Sequence, residues 1–504
     1  MTATAVAPAR GAQSGTAAPR WFVIAGVLVV AAVAYLVRLR LLTHGAGLTA
    51  SDGYDDGVYY AAADALVHGR LPYRDFLLLH PPGSAVVLAP FAALGALLGD
   101  PVGVAAARLA FIGVGAADAA MIGLIALRHS RGAAIVAGLG AAVFFPLAYS
   151  ERSTLLEPVG TALLLVAVLV LRLRPSARGT LVAGVLAGCS IDMRIWYALP
   201  VLLLGLLATR RRGRFLVGAA ASSIAIALPF FVAAPVAMVR EVVLDQAGRH
   251  SSAKIGAIIH RLVEIGSDPI HGASSTSRHE AYLLAAVVLI TVVVATIGVW
   301  RVRWARPYPV MAVATTAVLL VSPSFFLHYV DFVAPWMLLV LAIGSAELAR
   351  RIRSRPVRIV AVLLPLVILA AASLPTDLRA TTKPQPVAVL EAAMRGRTGC
   401  VVSDDPGLLA NTGLLSPQLQ HGCPLWPDVT GWTYDKDATR TGTTARGRRT
   451  DPLWQRDLMA YLTSADYVVL NRPATGLSAA SRAELARFPV IARSQEMTVY
   501  ALHG

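Results

Sequence analysis

Five aspartates, two histidines and two arginines fall within Ser51–Gly83, in the string SDGYDDGVYYAAADALVHGRLPYRDFLLLHPPG. Asp52, Asp55 and Asp56 are crowded into its first turn. Carboxylates this dense can supply a general base, which takes a proton from an attacking hydroxyl. They can also supply the oxygen ligands that a divalent cation prefers. Further ionisable groups interrupt apolar sequence: Glu151, Arg152 and Glu157; Asp192 and Arg194; Asp245, Arg249 and His250; His328, Tyr329 and Asp331. Such a group costs about 2.5–3.5 kcal/mol at mid-membrane, so Glu157 and Arg194 each require a polar cavity or a partner. A carboxylate pair, a cation able to grip phosphate through forked hydrogen bonds and an apolar surround suit transfer from a lipid-linked phosphate. The sequence has no Walker or dinucleotide-binding loop. The energy would then come from an activated lipid carrier.

The chain that must position these residues has 504 residues, is 56% hydrophobic and 15% charged, and has a mean hydropathy of +0.63. Long apolar runs alternate with short arginine-rich breaks, the pattern of an α-helical polytopic membrane protein. The short alternating rhythm of an outer-membrane barrel is absent. The net charge of +16 is concentrated in the loops 128–131, 172–178, 210–214, 301–306 and 350–358, which carry arginines and no acidic residue. That is the positive-inside signal. With no basic-aromatic reading surface, no nucleic-acid partner is expected.

The apolar runs predict spans at 21–42, 102–127, 132–149, 155–173, 214–234, 281–300, 308–323, 330–349 and 357–373. Region 179–209 is basic at both ends and broken by CSIDMR, which reads as a helical hairpin with Asp192 and Arg194 at its tip. The sum is eleven membrane helices, with the N-terminus cytoplasmic and every acidic cluster named above outside. Residues 1–20 read as disordered, and the first span lacks a small-residue cleavage site, so it is expected to be retained. Arg38 and Arg40 flank the outer end of that span against the charge rule and are expected to snorkel to the interface.

The first outer loop, 44–101, is expected to lay two helices on the membrane. One is amphipathic, within YYAAADALVHG, and stops at Gly69. The other, 84–99, reaches only about 24 Å, short of the ~30 Å hydrocarbon core. Residues 374–504 read as a small α/β domain outside the membrane. GCVVSDDP, ADYVVLN and MTVYALHG are strand-like, while PVAVLEAAMRG, PLWQRDLMAYLT and SAASRAELARF are helix-like. DKDATRTGTTARGRRTD has no apolar periodicity and reads as a loop. Cys400 and Cys423 would form a disulfide in an oxidising compartment, or remain two free thiols otherwise. Cys189 lies in an apolar stretch.

The string YDDGVYYAAADALVHGRLPYRDFLLLHPPG resembles the first outer loop of the glycosyltransferase-C superfamily. There an acidic pair after the first span leads into a tyrosine-containing helix, and a PPG or PPL turn starts a second interfacial helix. The layout of spans over 21–373 agrees. FFLHYVDFVAPW is similar to a late outer motif of actinobacterial members, and the Ala/Arg/Gly/Val-rich composition fits such a source. GCVVSDDPGLLANTG…HGCPLWPDVTGWTYD resembles outer domains attached to such proteins.

The resemblance implies an integral membrane glycosyltransferase that moves a sugar, with mannose or arabinose the first candidates. The donor would be a polyprenyl-phosphate sugar and the acceptor a cell-envelope glycan, lipid or protein. Asp55 would match the catalytic acid residue and Asp56 its partner, a position where many relatives have Glu. Glu157 would match an acidic residue that opens the fourth span. Arg194 stands where related chains often have lysine near the donor phosphate, which keeps the charge and changes the geometry. Arg249 would assist at the phosphate, and Tyr59, His80, His328 and Tyr329 would line the cavity. No cofactor is implied, and some branches need no metal, although Asp52, Asp55 and Asp56 could bind a divalent cation.

Simpler readings compete. DGYDDG could be a polar turn, Asp75 could pair with Arg74 on the surface, and Tyr329 could simply favour the interfacial depth. SDDP, 403–406, reads as a strand-end turn. At the level of the whole chain the rivals are a transporter or flippase of lipid-linked sugar and a non-catalytic envelope scaffold. Intramembrane charge also marks transport pathways, but the internal repeats frequent in transporters are not evident in the sequence.

Overall fold

The computed structural model describes residues 20–45, 47–49, 53–247, 255–267, 275–377, 382–431 and 445–503. The membrane-embedded part is helical. It runs α1 (Arg20–Thr43), α2 (Asp55–Val67), α3 (Gly83–Leu98), α4 (Asp100–Leu127), α5 (Arg131–Val143), α6 (Phe145–Glu151), α7 (Glu157–Leu173), α8 (Ala177–Ile191), α9 (Ala198–Leu207) and α10 (Arg212–Ala233). Then come α11 (Pro235–Val239), α12 (Asp245–Ala247), α13 (Ile255–Gly266), α14 (Ser275–Val299), α15 (Pro307–Val321), α16 (Ala334–Ala349) and α17 (Arg355–Asp377). α16 is buried around its whole circumference, from Ala334 to Gly344, as expected of a helix at the centre of a bundle. The outer helices present Leu28, Val217, Ile224, Leu283, Val293 and Val367, an apolar belt suited to lipid. The chain is a multi-pass membrane protein.

Six helices among the described residues are long and apolar enough to cross a membrane unaided: 21–43, 100–127, 212–233, 279–299, 303–321 and 355–374. The expected span 132–149 is bent by 60° between α5 and α6. Phe144 leaves the helical region at the bend and Pro146 follows it, a common cause of a kink. The amide freed at Phe145 finds Ser373 Oγ at 3.0 Å. The hairpin is present as α8 and α9, broken at Asp192–Arg194 and followed by a 3₁₀ turn at Ile195–Tyr197. At 1.5 Å per residue α8 rises about 22 Å, so its tip stops short of crossing ~30 Å of hydrocarbon.

Two expectations fail here. Arg38 does not snorkel: it is fully buried and ion-paired with Glu151. It also donates to the Ala34, Ala142 and Ala141 carbonyls at 3.0, 3.3 and 3.2 Å. α2 is not an amphipathic surface helix, because Asp56 to Ala65 are all buried. A second layer of protein, the tail, covers the side that was to face water.

In the tail, α18 (Val387–Met394), α19 (Pro406–Asn411) and α20 (Leu415–Gln420) accompany a four-stranded sheet. The strands are β1 (Val401–Ser403), β2 (Tyr467–Leu470), β3 (Val490–Arg493) and β4 (Thr498–Ala501), in the order β1-β2-β4-β3. β1 runs parallel to β2, and β4 is antiparallel to both of its neighbours. β3 is not among the strands expected from the sequence, because its residues are half-exposed or exposed and lack a buried-strand pattern. The helices Pro452–Leu462 and Ala479–Leu485 were foreseen. In the stretch expected to be a loop, Ala445–Thr450 is helical, and Arg448 is buried with its Nε 3.0 Å from the Thr475 carbonyl. Residues 435–444 of that stretch lie outside the described residues. Cys400 and Cys423 are disulfide-bonded.

The tail is docked on α2–α4. Val58, Tyr59, Tyr60, Leu88 and Phe111 share one apolar cluster with Leu408, Leu409, Leu415, Val469 and Val499. Ser416 Oγ stands 3.0 Å from Asp64 and 2.5 Å from Asp100, and its amide donates to Asp100 at 3.0 Å. At the mouth of the site, Gly57 approaches so close that a Cβ there would come within 2.7 Å of the Gly407 backbone.

Candidate active site

Asp55 and Asp56 open α2, about 100° apart around the helix axis, and meet opposite fates. Asp56 is buried and ion-paired with Arg108 at 2.5 Å. It also accepts from Ser153 Oγ at 3.0 Å and the Gly57 amide at 2.9 Å. Asp55 is half-buried, and among the described residues it receives no hydrogen bond. Burial, then the charge of Asp428, push its carboxyl up to about 6, against the pull of Arg194 and Arg472. A carboxylate that is poorly solvated and unpaired is a competent base.

Arg194 faces Asp55 from the hairpin tip. Its guanidinium lies between the rings of Trp196 and Tyr329, at 4.1 and 3.9 Å from their centroids, and is ion-paired with Glu157. Glu157 is placed by the start of α7, where Pro158 occupies the first turn and needs no amide partner. Tyr197 Oη bonds the Glu157 carbonyl at 2.9 Å. The tip is locked to the outer loop: the Gly83 amide donates to the Asp192 carbonyl at 2.9 Å. A Cβ at Gly83 would meet that carbonyl oxygen at 2.4 Å, which explains the glycine of PPG.

Tyr59 is four residues beyond Asp55, so it shares its helix face, and it packs edge-on against His80 with ring centroids 5.8 Å apart. His80 is held by its backbone: its carbonyl accepts from Tyr73 Oη at 2.7 Å. The flanking loop is clamped by Glu241 and Gln246, which bond Leu78 N and Leu79 O at 2.9 and 2.6 Å. His328 is buried edge-on to Tyr329 at 4.7 Å. Burial, then the Arg194 charge, hold its imidazole well below the usual histidine range, so it is neutral. Asp55, Tyr59, Glu157, Arg194 and Tyr329 form one electrostatic cluster. Arg249 and His250 lie outside the described residues, as does Asp52.

Of the three carboxylates expected to offer a divalent cation its ligands, Asp56 is taken by Arg108 and Ser153, and Asp52 lies outside the described residues. No group of three His, Cys, Asp or Glu converges among the described residues. Asp404 and Asp405 are structural, as the strand-end reading expects. Asp404 accepts from Asn471 N at 2.8 Å and Thr475 Oγ1 at 2.6 Å, and Asp405 caps α19 through the Gly407 and Leu408 amides.

Sequence reasoning missed two sets of residues. Arg108 sits in the apolar run of α4, and its only signal is a lone charge in a span. Arg472 and Asp428 come from the tail: the Arg472 guanidinium lies 3.3 Å over the Tyr54 ring, and Asp428 acts on Asp55 by charge. Nothing local in the tail sequence marks them, because their proximity to α2 arises from docking.

Residues 78–323, just under half of the chain, match the model of glycosyltransferase family 87. The chain superposes on ArnT from Cupriavidus metallidurans in the apo state, with TM-score 0.57, 15% identity, and 97% of this chain and 99% of that chain covered. The chain has the fold of ArnT, and residues 78–323 resemble a glycosyltransferase. The chain also superposes on the same ArnT bound to undecaprenyl phosphate, with TM-score 0.54, 16% identity and coverage of 97% and 99%. The archaeal oligosaccharyltransferase AglB from Archaeoglobus fulgidus, in complex with an inhibitory peptide and a dolichol-phosphate, gives TM-score 0.50 at 12% identity, covering 90% of this chain and 69% of that one. No curated protein sequence matches the chain.

Proposed function

We propose that this chain is a membrane glycosyltransferase of the glycosyltransferase-C superfamily that transfers a sugar from a polyprenyl-phosphate donor to a cell-envelope acceptor on the outer face of the membrane, with mannose and arabinose the first candidate sugars. Eleven membrane helices would put the N-terminus in the cytoplasm and the tail outside. The Cys400–Cys423 disulfide supports that orientation, since such bonds persist in oxidising compartments. Lipid-linked phosphates in the ArnT and AglB structures support the donor class.

Asp55 takes the proton of an acceptor hydroxyl. That oxygen bonds to the anomeric carbon as the bond from that carbon to the phosphate oxygen breaks, and polyprenyl phosphate leaves. Arg194 receives the phosphate charge, and the rings of Trp196 and Tyr329 hold its plane while Glu157 fixes one edge. Asp56 is a positioning residue that anchors the start of α2 through Arg108. Neutral His328, with Tyr59 and Tyr329, walls the site and keeps water out.

One observation carries this reading: among the described residues Asp55 is a carboxylate without a hydrogen-bond partner, under the charge of Arg194 from the hairpin and of Asp428 and Arg472 from the tail. Purified Asp55→Asn, given polyprenyl-phosphate mannose or arabinose and an envelope extract, is expected to release no polyprenyl phosphate above background. Release at the wild-type rate would remove Asp55 as the base.

A further inference from the structure

The tail meets the outer loop over two fully buried carboxylates, Asp64 in α2 and Asp100 at the start of α4. Both turn to one hydroxyl from the tail. Ser416 Oγ lies 3.0 Å from each oxygen of Asp64 and 2.5 Å from Asp100 Oδ1. A hydroxyl carries a single proton, so it cannot donate to both groups. Asp100 has other support. The Ser416 amide donates to its Oδ2 at 3.0 Å, and it opens α4, where the helix dipole favours negative charge. The Asp64 side chain, in the third turn of α2, has no other hydrogen-bond donor among the described residues.

The neighbouring ionisable groups do not fill that gap. His68 Nδ1 donates to the Asp64 backbone carbonyl at 2.8 Å and stands farther, 3.3 Å, from Asp64 Oδ1. The Tyr60 hydroxyl donates to the Asp100 backbone carbonyl at 3.4 Å. α3, α19 and α20, which pack against α2, carry no ionisable side chain. A second proton, on Asp64, completes the chain: Asp64 donates to Ser416 Oγ, and Ser416 donates to Asp100. Without it, two like charges are buried side by side and one of them lacks a donor.

We propose that docking of the tail binds a proton at Asp64, so that the α20 end of the tail is clamped to the outer loop in acid and loosens as pH rises. Burial, then the charge of Asp100, push the Asp64 carboxyl up from 3.8 to about 7, against the pull of the Ser416 hydroxyl. Undocked, Asp64 is solvated and ionises at its ordinary value. The proton therefore stabilises the docked state fully below 3.8, and that contribution is lost as pH rises through about 7. The same tail carries Asp428 and Arg472, whose charges act on Asp55, so the clamp governs what surrounds the site. It holds whether or not Asp55 is the base.

The full chain in lipid nanodiscs is read by hydrogen exchange at the α20 amides, corrected for the intrinsic exchange rate at each pH. Protection is expected to fall by about tenfold or more from about pH 5 to about pH 8, since each pH unit below the docked value is worth up to about tenfold. Asp64→Asn keeps a donor for Ser416 and cannot ionise, so its protection is expected to stay level over that range. His68→Gln is expected to keep the wild-type fall. The infrared difference between wild type and Asp64→Asn, taken in acid, is expected to contain the carbonyl stretch of a protonated carboxylic acid. Wild-type protection that ignores pH, an equal fall in Asp64→Asn, a fall abolished by His68→Gln, or no such carbonyl band would overturn the proposal.

Discussion

Two regions of this molecule are rich in buried charge, and they behave oppositely. Around Arg38, the guanidinium is shared between Glu151 and three backbone carbonyls. Asp331 is held by Ser150 at 2.9 Å and by Thr161 at 2.7 Å, and Asp118 faces Glu151. That network ties α1, α4, α6 and α7 together and is closed to the outside. Around Asp55, the carboxylate has no hydrogen-bond partner among the described residues, and Arg194 and Arg472 act on it by charge. The lesson is that density of charge does not mark the reacting centre. The closed network also holds buried oxygens without a partner among the described residues, at Asp118 and Glu151, so what sets the proposed reacting centre apart is that Asp55 is half-exposed.

The comparison breaks most decisively at Asp55. Asp55→Asn is expected to lower transfer about 10²–10⁴-fold, the usual worth of a positioned base, with a melting temperature at neutral pH that is equal or higher. Arg194→Met comes next. It removes the phosphate cation and leaves Glu157 unpaired, so both turnover and stability fall, the latter by about 3–5 kcal/mol, read by kinetics and thermal denaturation together. In the closed network Glu151→Gln is expected to cost a similar ~3–5 kcal/mol in denaturation while turnover per folded molecule is retained. A large loss of turnover without loss of stability there would erase the distinction between the two regions. Cys400→Ser opens a 23-residue separation and is expected to cost about 3 kcal/mol by loop entropy, confined to the tail.

The smallest effect concerns pH. The Asp55 carboxyl stands at about 6, above its ordinary 3.8, and the base form exists above that value. Turnover therefore rises as pH climbs through about 6. For stability the sign is reversed. The raised value means that the neutral form is favoured in the fold, so its contribution is full below 3.8 and is lost as pH rises through about 6. Asp428→Asn removes the neighbouring charge that helps to raise it, so the acid limb of the rate profile is expected to move to lower pH. A limb that does not move would sever the tail from the site.

Much of this was legible in the chain. Apolar runs of about 20 residues fix membrane helices because the bilayer core has a set thickness. DD before a helix, EP at the head of α7 and the DMR break announced the groups that cluster, since a charge beside an apolar run must find a partner. The kink at Phe144 and the full burial of α2 were not legible, because each depends on what packs against the helix from distant sequence.

The order and type of the elements, the acidic loop and the cysteine pair follow from local composition and periodicity, where each residue's preference is its own. Which of two adjacent aspartates is free, which arginine is neutralised and where the tail rests are settled by partners 50 to more than 350 residues away, such as Arg108 for Asp56, Glu151 for Arg38 and Ser416 for Asp64. Ion pairing and desolvation act over a few ångströms of space without regard to chain distance, so only the folded arrangement could decide them.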